Sequence, residues 1–293
     1  MKIKRSKGEQ IGYAIILTIL ILFAFSTLYP FWHVLMYSIS DSREAMTGGL
    51  FLLPRSLTLL AYKTVFRTGQ IFVAYRNTLL KTLVGTALSL VITALTAFPL
   101  SLRRLHGRNF FSMYIFFTML FSGGMIPTFL VVQGLGLLDT FWALVLPGMM
   151  SAYNMFILRN YFQQLPAELE ESAYIDGATP PVALACIILP VSAPCLAAVA
   201  MFYAVGNWNS YMDCLLYTST ARLQVLQIYL RNLISSVGAM DSIAVVSGGE
   251  TSALTEETVK MTTIAISIIP ILIIYPFLQR FYTKGITVGA VKG

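Results

Sequence analysis

The sequence predicts an all-α integral membrane protein with six transmembrane helices, and both its composition and its long apolar runs support that fold class. Of the 293 residues, 57% are hydrophobic and 11% are charged, whereas a soluble domain has about a quarter of its residues charged. A bilayer core of about 30 Å requires about 20 consecutive apolar residues per helix. The chain contains six separate uncharged runs near or above that length, which excludes an ordinary soluble protein.

These uncharged runs define the predicted transmembrane helices. Their apolar residues are continuous and do not alternate with polar ones, so helices, and not barrel strands, are expected to satisfy the backbone polar groups in lipid. The first run ends without a small-residue cleavage site, so it is expected to be retained as a helix. The runs are Ile11–Ser40, Thr82–Leu102, Asn109–Leu138, Thr140–Leu158, Ala178–Met212 and Met261–Gln279.

The predicted domain organisation and orientation follow from these runs. We expect a cytoplasmic N-terminus at residues 1–10, a single six-helix transmembrane domain at 11–281 and a cytoplasmic tail at 282–293. Placing both termini in the cytoplasm puts just over half of the 20 lysines and arginines in the cytoplasmic loops and termini. These cytoplasmic segments make up the smaller share of the sequence that lies outside the membrane helices, so positive charge is denser there, as membrane topology favours. The net charge of +7 therefore fits a multi-pass protein in contact with lipid better than a nucleic acid partner.

Two long segments are then expected outside, at about residues 41–75 and 213–260. Within the first, Leu59–Phe66 is predicted to form a short helix at the membrane interface. The second is rich in Ser, Thr and Gly, which is typical of a loop.

The connection between the fourth and fifth runs, at about residues 163–181, has the signals of a short cytoplasmic helix. Pro166 suits the first helical position, and Gly177 suits the position after the last turn. Pro180 and Pro181 prevent the helix from continuing. The early turns carry carboxylates that favour the positive end of the helix dipole, namely Glu168, Glu170 and Glu171.

One face of this predicted helix carries an apolar stripe, formed by Leu165, Leu169 and Ala173 at intervals of four residues. A helix this short is not stable alone in water, so we expect the stripe to be exposed for packing against another molecule. The alternative is a helix lying on its own membrane surface, but such helices usually carry Lys and Arg on their polar face. The acidic residues here favour a protein partner.

The sequence Glu171-Ser-Ala-Tyr-Ile-Asp-Gly177, followed by Ile187-Ile-Leu-Pro190, resembles the EAA loop of binding-protein-dependent ABC importer permeases. The family pattern is Glu-Ala-Ala, three residues, Gly, nine residues and then Ile-x-Leu-Pro. Ser172 departs from the usual Ala but is small enough for close approach. The positions that agree are Glu171, Ala173, Gly177, Ile187, Leu189 and Pro190.

The resemblance extends along most of the chain and is to the carbohydrate importers in particular. It includes Asp176-Gly177-Ala178 and the ending Phe281–Gly293, which is similar to that of permeases resembling the maltose-importer G subunit. The overall sequence looks closest to the branch that handles complex or acidic oligosaccharides, such as alginate or pectin fragments. A neutral sugar and a non-sugar solute stay open as alternatives. Further similar segments are Leu135–Ala143, Asn154–Asn160 and Gly206–Asn209.

The resemblance implies partners and site residues. The short helix would dock into a cleft of a cytoplasmic ATPase subunit, which binds ATP and Mg²⁺, while this chain holds no cofactor. Two ATPase copies, a second homologous permease and an extracytoplasmic solute-binding protein would complete the importer in a bacterial inner membrane. The coupling residues would be Glu170, Glu171, Ser172, Ala173, Asp176, Gly177, Ile187, Leu189 and Pro190. The tail residues that would reach the ATPase interface are Lys284, Gly285 and Gly289.

The chain carries no pattern of catalytic chemistry of its own. The phosphate loop Gly-x-x-x-x-Gly-Lys-Ser/Thr is absent from the sequence, so ATP hydrolysis is expected to belong to another polypeptide. His33 and His106 are too few for a metal site. Cys186, Cys195 and Cys214 lack metal-ligand spacing and are interpreted as small packing residues.

Candidates for a solute path are polar and aromatic residues near helix ends. Aromatic rings stack on the apolar faces of sugars, and amides bind sugar hydroxyls. The residues at the outer end of the fifth run have this composition, and the alternative is that they form an interfacial belt of Trp and Tyr. In the fourth run, hydrogen bonds between helices are the alternative. The candidates are Asn207, Trp208, Asn209 and Tyr211 in the fifth run, and Tyr153 and Asn154 in the fourth.

Two cations, Arg76 and Lys81, precede the second uncharged run. A Lys at mid-bilayer costs about 3 kcal/mol, so we expect Lys81 to lie near the outer boundary with its side chain extended to the interface. The second hypothesis is that both cations attract an acidic saccharide.

Two other classes of membrane protein are weighed as alternatives. An ion-coupled secondary transporter needs acidic or His residues embedded in the membrane, whereas the acidic residues here lie in loops or at helix ends. A membrane enzyme needs titratable groups clustered at one membrane face. No sequence pattern favours either class.

Overall fold

The computed structural model describes residues 7–67, 69–232, 235, 254–255, 257–270 and 272–273. This part of the chain is helical, and its strand-like pairing is limited to an isolated bridge between Ser40 and Leu57. The all-α class is therefore confirmed. The chain divides into two units, one formed by residues 1–68 and 230–269 and the other by 69–229 and 270–293.

The first unit contains a long apolar helix and two short ones. Helix α1 (Lys7–Ser38) is apolar on all sides, and none of its most apolar stretch is buried, as expected for a helix facing lipid. Helices α2 (Ser42–Ala45) and α3 (Leu60–Arg67) follow, and residues 257–270 are also helical. The short helix predicted at 59–66 is thus present.

An aromatic cluster forms the centre of this first unit. Tyr37 and Phe51 are buried with ring centroids 4.9 Å apart, and Met261 packs against them. His33 lies 5.2 Å from the Phe51 ring, edge to face. The histidine in the first run is therefore a member of an aromatic cluster.

The second unit is organised around helix α4 (Gln70–Ser101), which has 32 residues. Helix α4 packs against helices α7 (Ala152–Gln163) and α11 (Ala193–Asn209). The helix begins twelve residues before the predicted run because Arg76 and Lys81 are accommodated within it. The buried core between these helices comprises Ala94, Ala97, Phe98, Leu100, Met155, Leu158, Phe162, Leu184, Ile188, Cys195, Val199 and Tyr203.

Three of the predicted runs are bent in the structure. Helices α5 (Arg108–Leu120) and α6 (Met125–Gly134) meet at 113°, because Gly124 between them takes a left-handed φ of 89°. The short 3₁₀ segments at Phe141–Leu144 and Leu146–Gly148 meet α7 at 54°. In the latter, Pro147 lies in the first turn, where it donates no backbone hydrogen bond.

The third break lies before α11. The connection from α8 (Ala167–Ile175) passes through α9 (Pro180–Ala183), a π-helical segment at Leu184–Ile188 and α10 (Leu189–Val191). The helical path then bends by 87° between α10 and α11. Pro190 and Pro194 flank this bend, and each lacks the backbone N–H that a continuous helix requires. Helix α12 (Met212–Tyr217) follows α11, and residues 226–232 are also helical.

The described residues contain two straight helices long and apolar enough to cross a membrane, or up to five spans if each bent pair counts as one. The last predicted run, 261–279, lies partly outside the described residues, and its first ten residues are helical. The multi-pass helical architecture is thus established, and the number six remains a prediction.

Two of the cysteines fit the packing interpretation, since Cys195 and Cys214 are buried. Cys186, which lies in the π-helical segment, is exposed. The packing interpretation is therefore wrong for Cys186.

Helices α4 and α11 pack closely together at Gly85. A Cβ atom at this position would lie 2.9 Å from the Asn207 side-chain nitrogen and 3.2 Å from its Cγ. Gly206 provides a matched comparison, because a Cβ there would meet nothing within 4 Å. Small residues at such contacts let membrane helices approach closely.

We predict that Gly85→Val lowers the free energy of unfolding by about 1–3 kcal/mol, because the added methyl groups force α4 and α11 apart. The same substitution at Gly206 should change it by no more than about 0.5 kcal/mol. Thermal unfolding of the purified protein in detergent measures both. Equal shifts for the two variants would contradict the close packing.

Candidate functional site

Helix α8 has the start and end that the sequence predicts. Pro166 takes the cap position just before the helix, one residue earlier than expected, and Glu168 and Glu170 lie in the first turn. Gly177 has a φ of 82°, and its N–H donates to the Tyr174 carbonyl at 3.1 Å. The Ala178 N–H donates to the Ala173 carbonyl at 2.9 Å. This pair of bonds is a Schellman ending, for which glycine in the left-handed region is favoured.

The apolar stripe of α8 is turned towards the chain's own core. Ala173 is 2% exposed, Leu165 packs against the core cluster of α4, α7 and α11, and α8 contacts the π-helical segment. The prediction of an exposed stripe is therefore wrong, because this chain itself supplies the partner surface.

The exposed face of α8 is acidic and narrow. Glu171, Ser172, Asp176 and Gly177 are exposed, and Ile175 is 85% exposed at the same end. A protein that binds here would meet carboxylates around one apolar side chain.

Glu170, by contrast, faces the end of α4. Its carboxylate lies 3.0 Å from the Arg104 guanidinium, and Arg104 lies over the Tyr174 ring at 4.2 Å from the centroid. Burial is the main cause that raises the pKa of Tyr174, with a smaller effect of the nearby Glu170 carboxylate. A cavity of about 530 Å³ lies beside this cluster, lined by Phe98, Arg103, Phe162, Glu171 and other residues of α4, α7 and α8.

The second half of the sequence motif lies directly behind α8. Ile187 belongs to the π-helical segment, and Leu189 and Pro190 begin α10. The Leu189 N–H donates to the Leu184 carbonyl five residues earlier, a hydrogen bond one residue longer than in an α-helix. Leu189 packs against the core cluster. The fold therefore brings the two halves of the motif together.

The candidates at the end of α11 separate into buried and exposed residues. Trp208 is buried, and its ring centroid is 6.5 Å from that of Tyr75. Its indole N–H has no hydrogen-bond partner among the residues that the structure describes. Asn207 lies against Gly85, whereas Asn209 and Tyr211 are exposed. The burial of Trp208 disfavours the interfacial-belt alternative for this residue.

Tyr153 and Asn154, at the start of α7, do not form one polar spot. Tyr153 is exposed and Asn154 is buried. A buried polar group that sequence reasoning missed lies nearby, where the Tyr203 hydroxyl bonds Thr93 Oγ1 at 2.7 Å and accepts from the Ser151 N–H at 3.1 Å. Thr93 and Tyr203 thus connect α4 to α11 by a hydrogen bond within the core.

The Lys81 side chain is buried within the protein and does not extend to solvent, so that part of the prediction is wrong, whereas its place near the outer boundary stays a prediction. Its side chain is 1% exposed, and Nζ lies 3.0 Å from Oδ2 of Asp213, whose side chain is 34% exposed. Nζ also donates to the Ser210 carbonyl at 3.4 Å. The opposite charge and these bonds offset the cost of removing the ammonium from water. Arg76 is exposed, so the two cations of the hypothesis do not share one environment.

The sequence does contain a signal for this ion pair. Asp213 is the one charged residue between Asp176 and Arg222. A single carboxylate beside an apolar run is expected to pair with a cation. The distance of 132 positions between the partners hides the pairing from any local pattern.

Further polar contacts hold the segment after α12 against α4 and against the loop at 139. The Asn77 amide donates to the carbonyls of Arg222 and Gln224 at 2.8 and 2.9 Å. The Asp139 carboxylate accepts hydrogen bonds from the hydroxyls and N–H groups of Ser219 and Thr220. These bonds, those from Thr220 first, hold the pKa of Asp139 below its usual range. Residues 213–226, expected to be part of a loop, instead include helix α12 and are held by these hydrogen bonds.

Residues 71–288 match the family model described as binding-protein-dependent transport system inner membrane component. The chain belongs to this family. The resemblance drawn from the 171–190 motif is thereby confirmed, and the permease is a multi-pass inner membrane component of a binding-protein-dependent transport system.

The permease is similar to two transport proteins of Bacillus subtilis (strain 168). It is 42% identical over 275 residues to the polygalacturonan/rhamnogalacturonan transport system permease protein YtcP, covering 94% of this chain and 96% of the relative. It is also 42% identical over 269 residues to Protein LplC, covering 91% of this chain and 90% of the relative.

A solved structure has the same fold. It is described as the crystal structure of a bacterial ABC transporter involved in the import of the acidic polysaccharide alginate. The permease matches one of its chains with a TM-score of 0.85 and 32% identity, covering 95% of this chain and 99% of that chain. The ABC permease fold of this chain is therefore established.

The tail residues expected to reach the ATPase, Lys284, Gly285 and Gly289, lie outside the described residues of the permease. The tail assignment at 282–293 and the placement of both termini in the cytoplasm remain predictions.

We predict an asymmetric response to breaking the Lys81–Asp213 pair of the permease. Asp213→Asn should lower the free energy of unfolding by about 3–5 kcal/mol, because it leaves a buried ammonium without its counter-charge. Lys81→Met should cost less, because Asp213 is 34% exposed and water can solvate it. The double variant Lys81→Met/Asp213→Asn should recover part of the loss. Thermal unfolding in detergent measures the stability of the two single variants and the double variant. If the loss in the double variant equals the sum of the two single losses, the pairing is contradicted.

Proposed function

We propose that this permease is the transmembrane subunit of an ATP-driven importer of oligosaccharides, with acidic oligosaccharides as its substrate class. The observation that carries this proposal is the similarity over nearly the whole chain to a polygalacturonan/rhamnogalacturonan permease and to an alginate importer. Both of those names refer to polymers of acidic sugars. Family membership disfavours an ion-coupled transporter, because the family is defined by dependence on a binding protein.

The importer needs further subunits. A solute-binding protein delivers the sugar from outside, a second homologous permease completes the pathway, and two ATPase subunits hydrolyse ATP with Mg²⁺. This chain has one α8 helix, and we assign an equivalent helix to the second permease. Each permease therefore contacts one of the two ATPase subunits. Both termini and α8 lie in the cytoplasm in this arrangement.

The coupling surface is the exposed face of α8, comprising Glu171, Ser172, Asp176 and Gly177. Ala173 and Glu170 hold α8 on its own chain, Ala173 by burial and Glu170 through Arg104 at 3.0 Å. Ile187, Leu189 and Pro190 support α8 from behind, and the tail residues Lys284, Gly285 and Gly289 approach the same ATPase.

Coupling then follows from the packing of α8. When the ATPase subunits close around ATP, they move α8 as a unit, and α8 is linked to the end of α4 through the Arg104–Glu170 pair. A shift of α8 therefore displaces the helices that form the core of the second unit. ATP and the loaded binding protein both favour one of two states of the permease, which is how two separate sites become coupled.

The solute path is assigned to polar residues towards the outer ends of α4, α7 and α11. Among the candidates, Arg76, Tyr153, Asn209 and Tyr211 are exposed and are the better contacts for a sugar. Lys81, Asn154, Asn207 and Trp208 support these residues from within the helix packing.

We predict that Glu171→Lys and Gly177→Asp each abolish ATP-dependent uptake and the copurification of an ATPase. The first reverses a charge on the coupling surface, and the second places a side chain at a φ of 82° that favours glycine. Glu9→Lys is the control, because it makes the same charge change at an exposed glutamate in the first turn of α1, away from α8. If all three variants retain the ATPase equally, the coupling surface is misassigned.

We predict that membranes containing the complete importer take up oligogalacturonides in preference to neutral oligosaccharides of the same length. Arg76→Gln should reduce uptake of the acidic substrate by roughly tenfold, the effect of about 1.4 kcal/mol, and leave any neutral uptake unchanged. Arg43→Gln, which removes an exposed arginine from the first unit, is the control. Preference for the neutral sugar would refute the acidic substrate class while leaving the ATPase result intact.

A further inference from the structure

Three arginines, Arg103, Arg108 and Arg159, lie around the connection between α4 and α5, and they have no acidic partner among the residues that the structure describes. Arg103 and Arg108 line an open cavity of about 510 Å³ together with Leu105, Gly107 and Asn109. Within the described part of the chain, no carboxylate lies within ion-pair distance of Arg103, Arg108 or Arg159. The neighbouring Arg104 differs, since it pairs with Glu170.

The like charges in this cluster act on one another. Arg159, on α7, and Arg108, at the start of α5, are both half-buried on helices that contact each other. The Arg159 Nε–H donates to the Leu100 carbonyl at 3.0 Å. Unscreened repulsion between half-buried cations is unfavourable. An anion bound in the cavity would relieve that repulsion.

An apolar groove of about 400 Å³ adjoins the basic cavity, and Asn109 lines both. The groove is lined mainly by Met113, Phe116 and Phe156, and the two phenylalanine rings meet edge to face at 6.3 Å between centroids. The Arg159 guanidinium lies 5.7 Å from the Phe156 ring centroid. The cationic and apolar surfaces are therefore continuous.

We propose that this continuous surface binds one anionic phospholipid, with the headgroup phosphate at Arg103 and Arg108 and an acyl chain along Met113, Phe116 and Phe156. Basic pockets at the ends of membrane helices suit acidic headgroups. A small soluble anion would use only the basic cavity. An occupant with an acidic head and a long apolar chain matches both parts. The proposal requires a location in the membrane, which family membership provides, and is independent of the transported solute.

The test is native mass spectrometry of the full-length chain, in the complex in which it purifies from bacterial membranes in mild detergent. We expect one retained phosphatidylglycerol. Arg103→Gln/Arg108→Gln should weaken its binding roughly 30-fold, because each of the two lost cations contributes roughly fivefold to the affinity. The matched control is Arg222→Gln, which removes an exposed arginine at the other end of α4 and should retain the lipid. Equal retention by the double variant and the control would overturn the proposal.

A second measurement does not depend on the stability of the variants. Phosphatidylglycerol or phosphatidylcholine is titrated into the delipidated wild-type complex, and the increase in melting temperature is recorded. A saturable increase with phosphatidylglycerol alone supports the site. Equal increases with both lipids would overturn the role of charge. Displacement of phosphatidylglycerol by millimolar inorganic phosphate would identify a free-anion site and overturn the lipid assignment.

Discussion

The packing of α4 against α7 and α11 is the interaction on which the second unit depends. Lipid chains are as apolar as the helix surfaces, so close van der Waals contact and buried hydrogen bonds must hold these helices together. Helix α4 provides both along one face, where Gly85 admits the Asn207 side chain and Thr93 bonds the Tyr203 hydroxyl. Further along, Ala97 is fully buried in the core. One helix thus carries the contacts that fix its two neighbours.

The two ends of α4 extend this arrangement to the surfaces of the unit. At one end, Arg104 follows the helix and pairs with Glu170 of α8. At the other end, Asn77 and Lys81 hold residues 210–224 by hydrogen bonds and an ion pair. A buried ion pair is seldom a net source of stability, but removal of one partner is costly. The Lys81–Asp213 pair therefore specifies where the segment after α11 lies more than it strengthens the fold.

Local signals allowed the sequence to predict much of this structure. The start and end of α8 follow from Pro166 and Gly177, whose preferences act within a few residues of chain. The family pattern at 171–190 likewise depends on residues close in sequence. The failures concern contacts between distant positions. The Lys81–Asp213 pair and the burial of Ala173 each require knowledge of which helices are neighbours, and apolar runs carry no information about that.

The position and size of the bends within three runs do not follow from the sequence, for a different reason. Apolar composition shows that a run can lie in lipid, but it does not show whether the backbone is straight, because glycine and proline are tolerated in membrane helices wherever neighbours satisfy the freed polar groups. Gly124 and the pair Pro190 and Pro194 produce bends of 113° and 87°. Such bends are decided by packing around each residue and not by the residue alone.

The burial of the α8 stripe determines how the proposed coupling would transmit movement from α8 to the rest of the chain. A helix exposed on both faces could rotate against its own chain when a partner pulls it, and little of the movement would reach the membrane. Helix α8 instead has one face fixed to the core through Ala173 and Leu165, and a π-helical segment with a longer hydrogen bond lies directly behind it. π-Helical turns are frequent at functional sites. Force on the acidic face must therefore move the core or deform this segment, and either change reaches α11 and its bend.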